Sequence, residues 1–279
     1  MNIVTKSFFL RLLVVLTLCV APLGCATKRS TAPGVVGVER KQTLWLSSGE
    51  MNRAAEQAYG NTLRQANKQQ TLNRDSNEVI RVRSIANRII PVTGGFRSDA
   101  PGWKWEVNVI SSKELNAWCM PGGKIAVYTG LIERLKLTDD ELAAIIGHEI
   151  AHALREHGRE RASRELATGL GLAVVGAALG AKQEHMELAG LVTAVTISLP
   201  NSREFETEAD RIGVELAARA GYDPRAAISV WEKMKQAGGS STPQWLSTHP
   251  SSTTRQKDLA DYAQRVMPLY QATLAQPRR

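Results

Sequence analysis

The chain has 279 residues, enough for one large domain or two small ones, and its 43% hydrophobic content can supply a core. Its net charge is +8, but the basic residues are spread out with no dense run, and no nucleic-acid motif is present. A nucleic-acid partner is therefore not expected, whereas attraction to anionic lipid headgroups is compatible with the charge.

The N-terminus reads as an address. Lys6 stands before, and Arg11 near the start of, a short apolar run, Phe8 to Val20, followed by Ala21-Pro22-Leu23-Gly24-Cys25. A basic start, an apolar run and small residues before a cleavage point make residues 1–25 a secretory signal peptide. The run is short for a spanning helix. Gly24-Cys25 resembles the lipobox of bacterial lipoproteins, whose Cys carries the lipid, although Pro22 stands where that pattern usually has Leu. Ordinary cleavage near Ala26 is the alternative. The lipoprotein reading implies a periplasmic protein held to the outer membrane by a lipid on Cys25. Cys19 leaves with the signal, so Cys119 has no intrachain disulfide partner. There is no C-x-x-C pattern, so a metal site must use His and carboxylates.

Residues 26–48 are rich in Thr, Ser, Gly and Pro and are expected as a tether, with one domain over 49–279. Gly49–Gln70 is polar and helix-prone, expected against the domain surface. Asn77–Ile90 carries an apolar stripe at helical spacing. Pro91–Gly102 reads as a loop. Trp103–Ile110 alternates and predicts a strand. Lys124–Tyr128 predicts another, preceded by the turn signal Gly122-Gly123, and Pro121 marks an edge position. Thr129–Leu135 is helical. Leu166–Leu199 is rich in Ala, Gly, Leu and Val and reads as two buried helices around a polar turn, or else as a mobile or membrane-facing cover. Arg203–Arg219, Asp223–Ala237 and Ser252–Val266 are further helices. The expected fold is α+β and predominantly helical, with a small antiparallel sheet.

The stretch from Asp139 to His157 carries chemistry. It contains H-E-x-x-H, as His148, Glu149 and His152. Helical positions four apart are separated by ~6 Å along the axis and ~40° around it, so both imidazoles can address one zinc ion. Glu149 then stands where a general base for metal-assisted hydrolysis belongs. Five letters alone are a weak signal, but Glu149 is the only charged residue between Glu141 and Arg155. A helix this apolar is a buried one, and histidines inside it need a partner or a metal. Thr138 and the acids after it read as an N-cap and an acidic first turn.

A catalytic zinc needs a third ligand. Glu204, Glu206, Glu208 and Asp210 are the candidates, and Glu206 and Asp210 share a helical face. Glu206 can bind zinc while Asp210 bonds the far nitrogen of a ligand imidazole. Glu204 and Glu208 read as a solvated acidic face, and His157 and His185 as ordinary polar residues.

H-E-I-A-H followed by E-T-E-A-D-R-I-G resembles the HtpX-like and CAAX prenyl-protease family of zinc metallopeptidases. So do N-A-W-C-M-P-G-G and S-T-H-P-S, and the four elements fall in the family's order. The resemblance implies a zincin-like domain with one zinc on His148, His152 and Glu206, and with Asp210 behind a ligand. It implies that His249 can approach the zinc and that Arg255 follows at the family's spacing. The chain lacks the multiple spans of HtpX and has little room for the C-terminal repeat of the BepA-like branch. The short exported, LoiP-like lipoprotein branch is the nearer likeness. The expected activity is a zinc endopeptidase of the cell envelope, with Glu149 as base and with unfolded or misassembled envelope proteins as substrates. Those substrates would lie along the edge strand near Asn116, which could hold a backbone group. His249 or Arg255 would stabilise the oxyanion, or His249 would fill the open metal position at rest. The rival is a chaperone-like envelope lipoprotein with latent proteolysis. Oligomeric state is not legible.

Overall fold

The computed structural model describes residues 27–167, 184–238, 244–250 and 253–276. A short pair of strands, β1 (Thr27–Lys28) and β2 (Gln42–Thr43), precedes helices α1 (Ser48–Lys68) and α2 (Ser76–Ile89). Two 3-10 turns, Ile90–Gly95 and Ala100–Gly102, lie in the region expected as a loop. Strands β3 (Glu106–Ile110), β4 (Ala117–Met120) and β5 (Lys124–Tyr128) follow, then helices α3 (Thr129–Leu135), α4 (Asp139–Leu154) and α5 (His157–Ala167). The rest is α6 (Glu184–Thr193) with a π turn at Ala194–Ser198, α7 (Arg203–Arg219), α8 (Ala226–Gly238), the short α9 (Gln244–Thr248) and α10 (Thr253–Leu274). Helix therefore dominates, as expected.

Local sequence explains the helix ends. Thr138 Oγ1 accepts from Glu141 N and the Glu141 carboxylate accepts from Thr138 N, a capping box that starts α4. Ser47 and Glu50 do the same for α1, and Ser202 caps α7. Every residue of α4 from Glu141 to Leu154 is buried, which its even apolarity demands.

The sheet has the order β3-β5-β4, and β4 is one of its two edge strands, in keeping with Pro121 at its end. It was expected to be antiparallel; it is mixed. β4 and β5 form the expected hairpin, turning at Gly122 and Gly123 with φ of +77° and +82°. β3, however, runs parallel to β5, with Val107 opposite Ile125. Residues 111–116 carry the chain across the strand ends, so β5 pairs on both sides. Both sheet faces are covered. Ala117, Cys119, Ile125 and Val127 join the α4 core, while Trp118, Met120 and Ala126 meet Met51, Ala58 and Tyr59 of α1 and Val192 of α6. The alternation of a strand thus serves two apolar layers.

Residues 27–46 do not hang as a free tether. Val36, Val38 and Leu44 are buried, Val36 N donates to the Glu215 carboxylate at 3.0 Å, and Gln42 is wholly enclosed. The stretch is a strap across the domain, polar in composition because charge pairs and hydrogen bonds hold most of it. Residues 1–26, including Cys25, lie outside the described residues. So do 168–183 of the apolar Leu166–Leu199 segment. Its second half is packed, with Ala189, Leu191, Val192 and Val195 buried. Among the described residues no helix is long and apolar enough to cross a membrane.

α4 and α7 touch at two glycines. A Cβ on Gly147 would lie 2.9 Å from Gly213 O, and one on Gly213 would lie 2.9 Å from His148 N and Cα. Those neighbours are backbone and cannot rotate away. Gly213→Ala is therefore expected to cost about 1–3 kcal/mol by overpacking. Gly60→Ala, in mid-α1, meets only the flexible Arg64 guanidinium and is expected to gain up to about 1 kcal/mol in helix propensity. Urea melts of the two variants check the opposite signs.

Candidate metal centre

The glycine contact sets α7 close across α4 at the level of His148. One turn of α4 presents His148 and His152, and one turn of α7 presents Glu206 and Asp210. The short α9 delivers His249 from a third side, with His249 N donating to Trp245 O at 2.8 Å.

Four side chains converge. His152 Nε2 is 3.1 Å from His148 Nε2, and His249 Nδ1 is 3.1 Å from His148 Nε2. Glu206 Oε1 stands 3.2 Å from His152 Nε2 and 3.0 Å from His249 Nδ1, and its Oε2 stands 3.5 Å from His148 Nε2. All four residues are buried. Donors ~2.0–2.1 Å from a tetrahedral zinc lie ~3.3 Å from one another, and these edges match. The far nitrogens of both α4 histidines are already bonded. His148 Nδ1 donates to Asp210 Oδ1 at 3.0 Å, and His152 Nδ1 meets His157 Nδ1 at 2.9 Å. Two Nε2 lone pairs and a carboxylate therefore face one point, an arrangement that favours a cation. The donor set fits one zinc ion.

The titration of the protein alone points the same way. Burial opposes charge on His148, but its hydrogen bonds to Asp210 and Glu206 outweigh that and push the imidazole up to about 10. Burial would raise Glu206, yet His249 and the hydrogen bonds from His148 and His152 hold it well below the usual carboxylate range. Burial dominates at His152, which falls well below its usual value, and at Glu149, which rises.

Glu149 faces the cleft side. Trp245 Nε1 donates to its Oε1 at 2.8 Å, and His249 Nε2 lies 3.5 Å from the same oxygen. Trp245 also stacks on His249, with centroids 4.7 Å apart. Cys119, Pro121, Glu149, His152, Val195 and His249 line the cleft, so the end of edge strand β4 opens onto the metal ligands.

Arg255 sits behind the ligands. Its Nε and Nη2 donate to the two Asp210 oxygens at 2.8 and 2.9 Å, and Nη1 is 3.0 Å from Glu206 Oε2. Its guanidinium braces the two acids of α7. Asn116 is buried at the start of β4, and its carbonyl accepts from Tyr128 N. Glu208 is not on a solvated face. It is buried and accepts from His157 Nε2 at 2.9 Å and from Arg155 at 3.0–3.1 Å. Sequence reasoning missed His157, Glu208 and Trp245. Two signals were available: a histidine five residues after His152, and a tryptophan four before His249.

Residues 78–263 match the family described as Peptidase family M48. The chain is 42% identical over 164 residues to the mitochondrial metalloendopeptidase OMA1 of Arabidopsis thaliana, covering 58% of this chain and 32% of that protein. It is 34% identical over 204 residues to the Bos taurus OMA1, covering 68% and 37%. The Escherichia coli metalloprotease LoiP is 24% identical over 253 residues, 90% of this chain and 95% of LoiP. The match to the first two spans only about a third of their length. The matched span of the family profile contains both metal-bearing helices, the whole sheet and His249, and the chain belongs to peptidase family M48.

Proposed function

We propose that the protein is a zinc endopeptidase of the bacterial cell envelope that cleaves unfolded or misassembled envelope proteins. The observation that carries the reading is Glu149, a buried carboxylate beside three histidines and a second carboxylate, on the wall of a cleft that ends an edge strand. A purely structural metal site needs no such carboxylate. His148, His152 and Glu206 would hold the zinc, which would supply Lewis acidity and lower the pKa of a water toward neutrality. Glu149 takes the proton from the attacking water and passes it to the leaving amine. Asp210 fixes the His148 ring, with Arg255 holding Asp210 in place. The substrate chain pairs with β4 as an added strand, directed past Asn116 toward the ligands. A basic surface and a lipid on Cys25 would hold the enzyme at the periplasmic face of the outer membrane. The likeness to LoiP over nearly its whole length supports the envelope, while the higher identity to OMA1 supports the peptidase core.

His249 occupies the fourth corner of the donor set, the position a substrate carbonyl would need. The reading is a resting enzyme closed by its own α9. His249→Ala is expected to keep zinc through three ligands and to raise casein cleavage severalfold. A loss of cleavage with full zinc would assign His249 to the oxyanion instead. Metal analysis and a casein assay on the same preparations decide between them.

A further inference from the structure

The two α4 ligands are held differently. His148 leans directly on a carboxylate, Asp210. His152 leans on another imidazole: His157 Nδ1 lies 2.9 Å from His152 Nδ1, and His157 Nε2 lies 2.9 Å from Glu208 Oε2. The carboxylate can only accept, so His157 Nε2 carries the proton and its Nδ1 is a bare acceptor. His152 must then present Nδ1–H to His157, which leaves Nε2 free toward the metal. The anchor of this chain is built from distant parts. Glu208 also accepts from Arg155 Nε and Nη2, and from Arg40 Nε at 2.9 Å. Arg40 belongs to the strap over residues 27–46 and holds Glu160 with two further bonds of 2.8 Å. Gln42 of the same strap closes onto Arg155 O and Glu160. His157 begins α5 just after Glu156, whose φ of +51° turns the chain back under α4. A non-Gly residue in that conformation is uncommon, and here the turn brings a third imidazole behind the site.

From this geometry we infer that His157 is a positioning residue for the zinc ligand His152, and that Glu208, clamped by Arg155 and by Arg40 of the N-terminal strap, is its anchor. The inference rests on the zinc site proposed above. The interposed imidazole does for His152 what Asp210 does for His148: it selects the tautomer and fixes the ring plane. It also gives the strap a role at the metal, because its Arg40 stands three hydrogen-bonded contacts from a ligand.

A space-filling role must be separated from this one, since His157 also stacks on Phe205 with centroids 4.4 Å apart and planes 7° apart. His157→Phe keeps the stack and removes the acceptor. His157→Asn keeps an acceptor at the Nδ1 position and removes the stack. Zinc affinity by chelator competition is expected to fall about 10–100-fold in the Phe variant, the usual loss for such a support, and to be largely kept in the Asn variant. Wild-type zinc affinity in His157→Phe would overturn the inference. So would equal losses in both variants accompanied by a lower melting temperature of the metal-free protein. Imidazole 15N spectra of the zinc-loaded wild type need no variant to fold. They are expected to show His157 with Nε2 protonated and Nδ1 bare, and a proton on His157 Nδ1 would overturn the assignment. Wild-type protein that takes up no zinc would remove the underlying metal site itself, an outcome distinct from all of these.

Discussion

Glu149→Gln should leave the zinc content unchanged and lower kcat/KM on casein about 10²–10⁴-fold, the range for loss of a positioned general base. That loss is roughly 3–5 kcal/mol in the barrier. The variant is a clean probe because Gln keeps an oxygen where Trp245 Nε1 donates, so the indole and the His249 it stacks on need not move. What disappears is a buried oxygen able to take a proton. The metal-facing atoms of His148, His152, Glu206 and His249 do not include Glu149, so metal uptake has no reason to change. Zinc analysis and initial rates on wild type and variant from one preparation read both halves. Undiminished cleavage at full zinc would reject Glu149 as the base and reopen the choice of proton acceptor in the cleft.

The sequence shows the parts of this site that local rules specify. The H-E-x-x-H spacing, the Thr138 cap and the apolar run place α4, and the predicted bounds of α3, α7 and β5 coincide with the structure. What stays hidden depends on pairing at long range. Glu208 looks like one more acid on a helix, because its cations come from Arg155 and from Arg40, 53 and 168 residues away. The strap reads as a tether because its few apolar anchors are outnumbered by polar groups whose partners lie elsewhere in the chain. The parallel pairing of β3 with β5 is likewise invisible: the Gly122-Gly123 turn determines that β4 and β5 form a hairpin, but nothing local says which side of it the earlier strand joins. Gly147 and Gly213 resemble ordinary helix glycines until each is seen against the backbone of the other helix.

The acids of the first two turns of α7 make the sharpest test of how burial sorts like residues. Glu204 is more than half exposed, with a 3.4 Å pair to Arg40, whereas Glu206 is wholly buried. Glu206→Ala removes the carboxylate that faces His148, His152 and His249, and zinc content is expected to fall to background. It also strips Arg255 of a 3.0 Å partner inside the protein. Breaking a buried pair from one side costs about 3–5 kcal/mol, and the two bonds from Arg255 to Asp210 keep this case toward the lower end. Glu204→Ala loses only a solvated pair, worth about 0–1 kcal/mol, and should keep zinc in full. Metal analysis together with urea unfolding of the metal-free proteins separates the two effects, because the stability loss in Glu206→Ala must persist when no variant carries zinc. Full zinc in Glu206→Ala would assign the third ligand elsewhere. A stability equal to that of Glu204→Ala would mean that the Asp210 carboxylate and the Pro250 carbonyl satisfy Arg255 without Glu206.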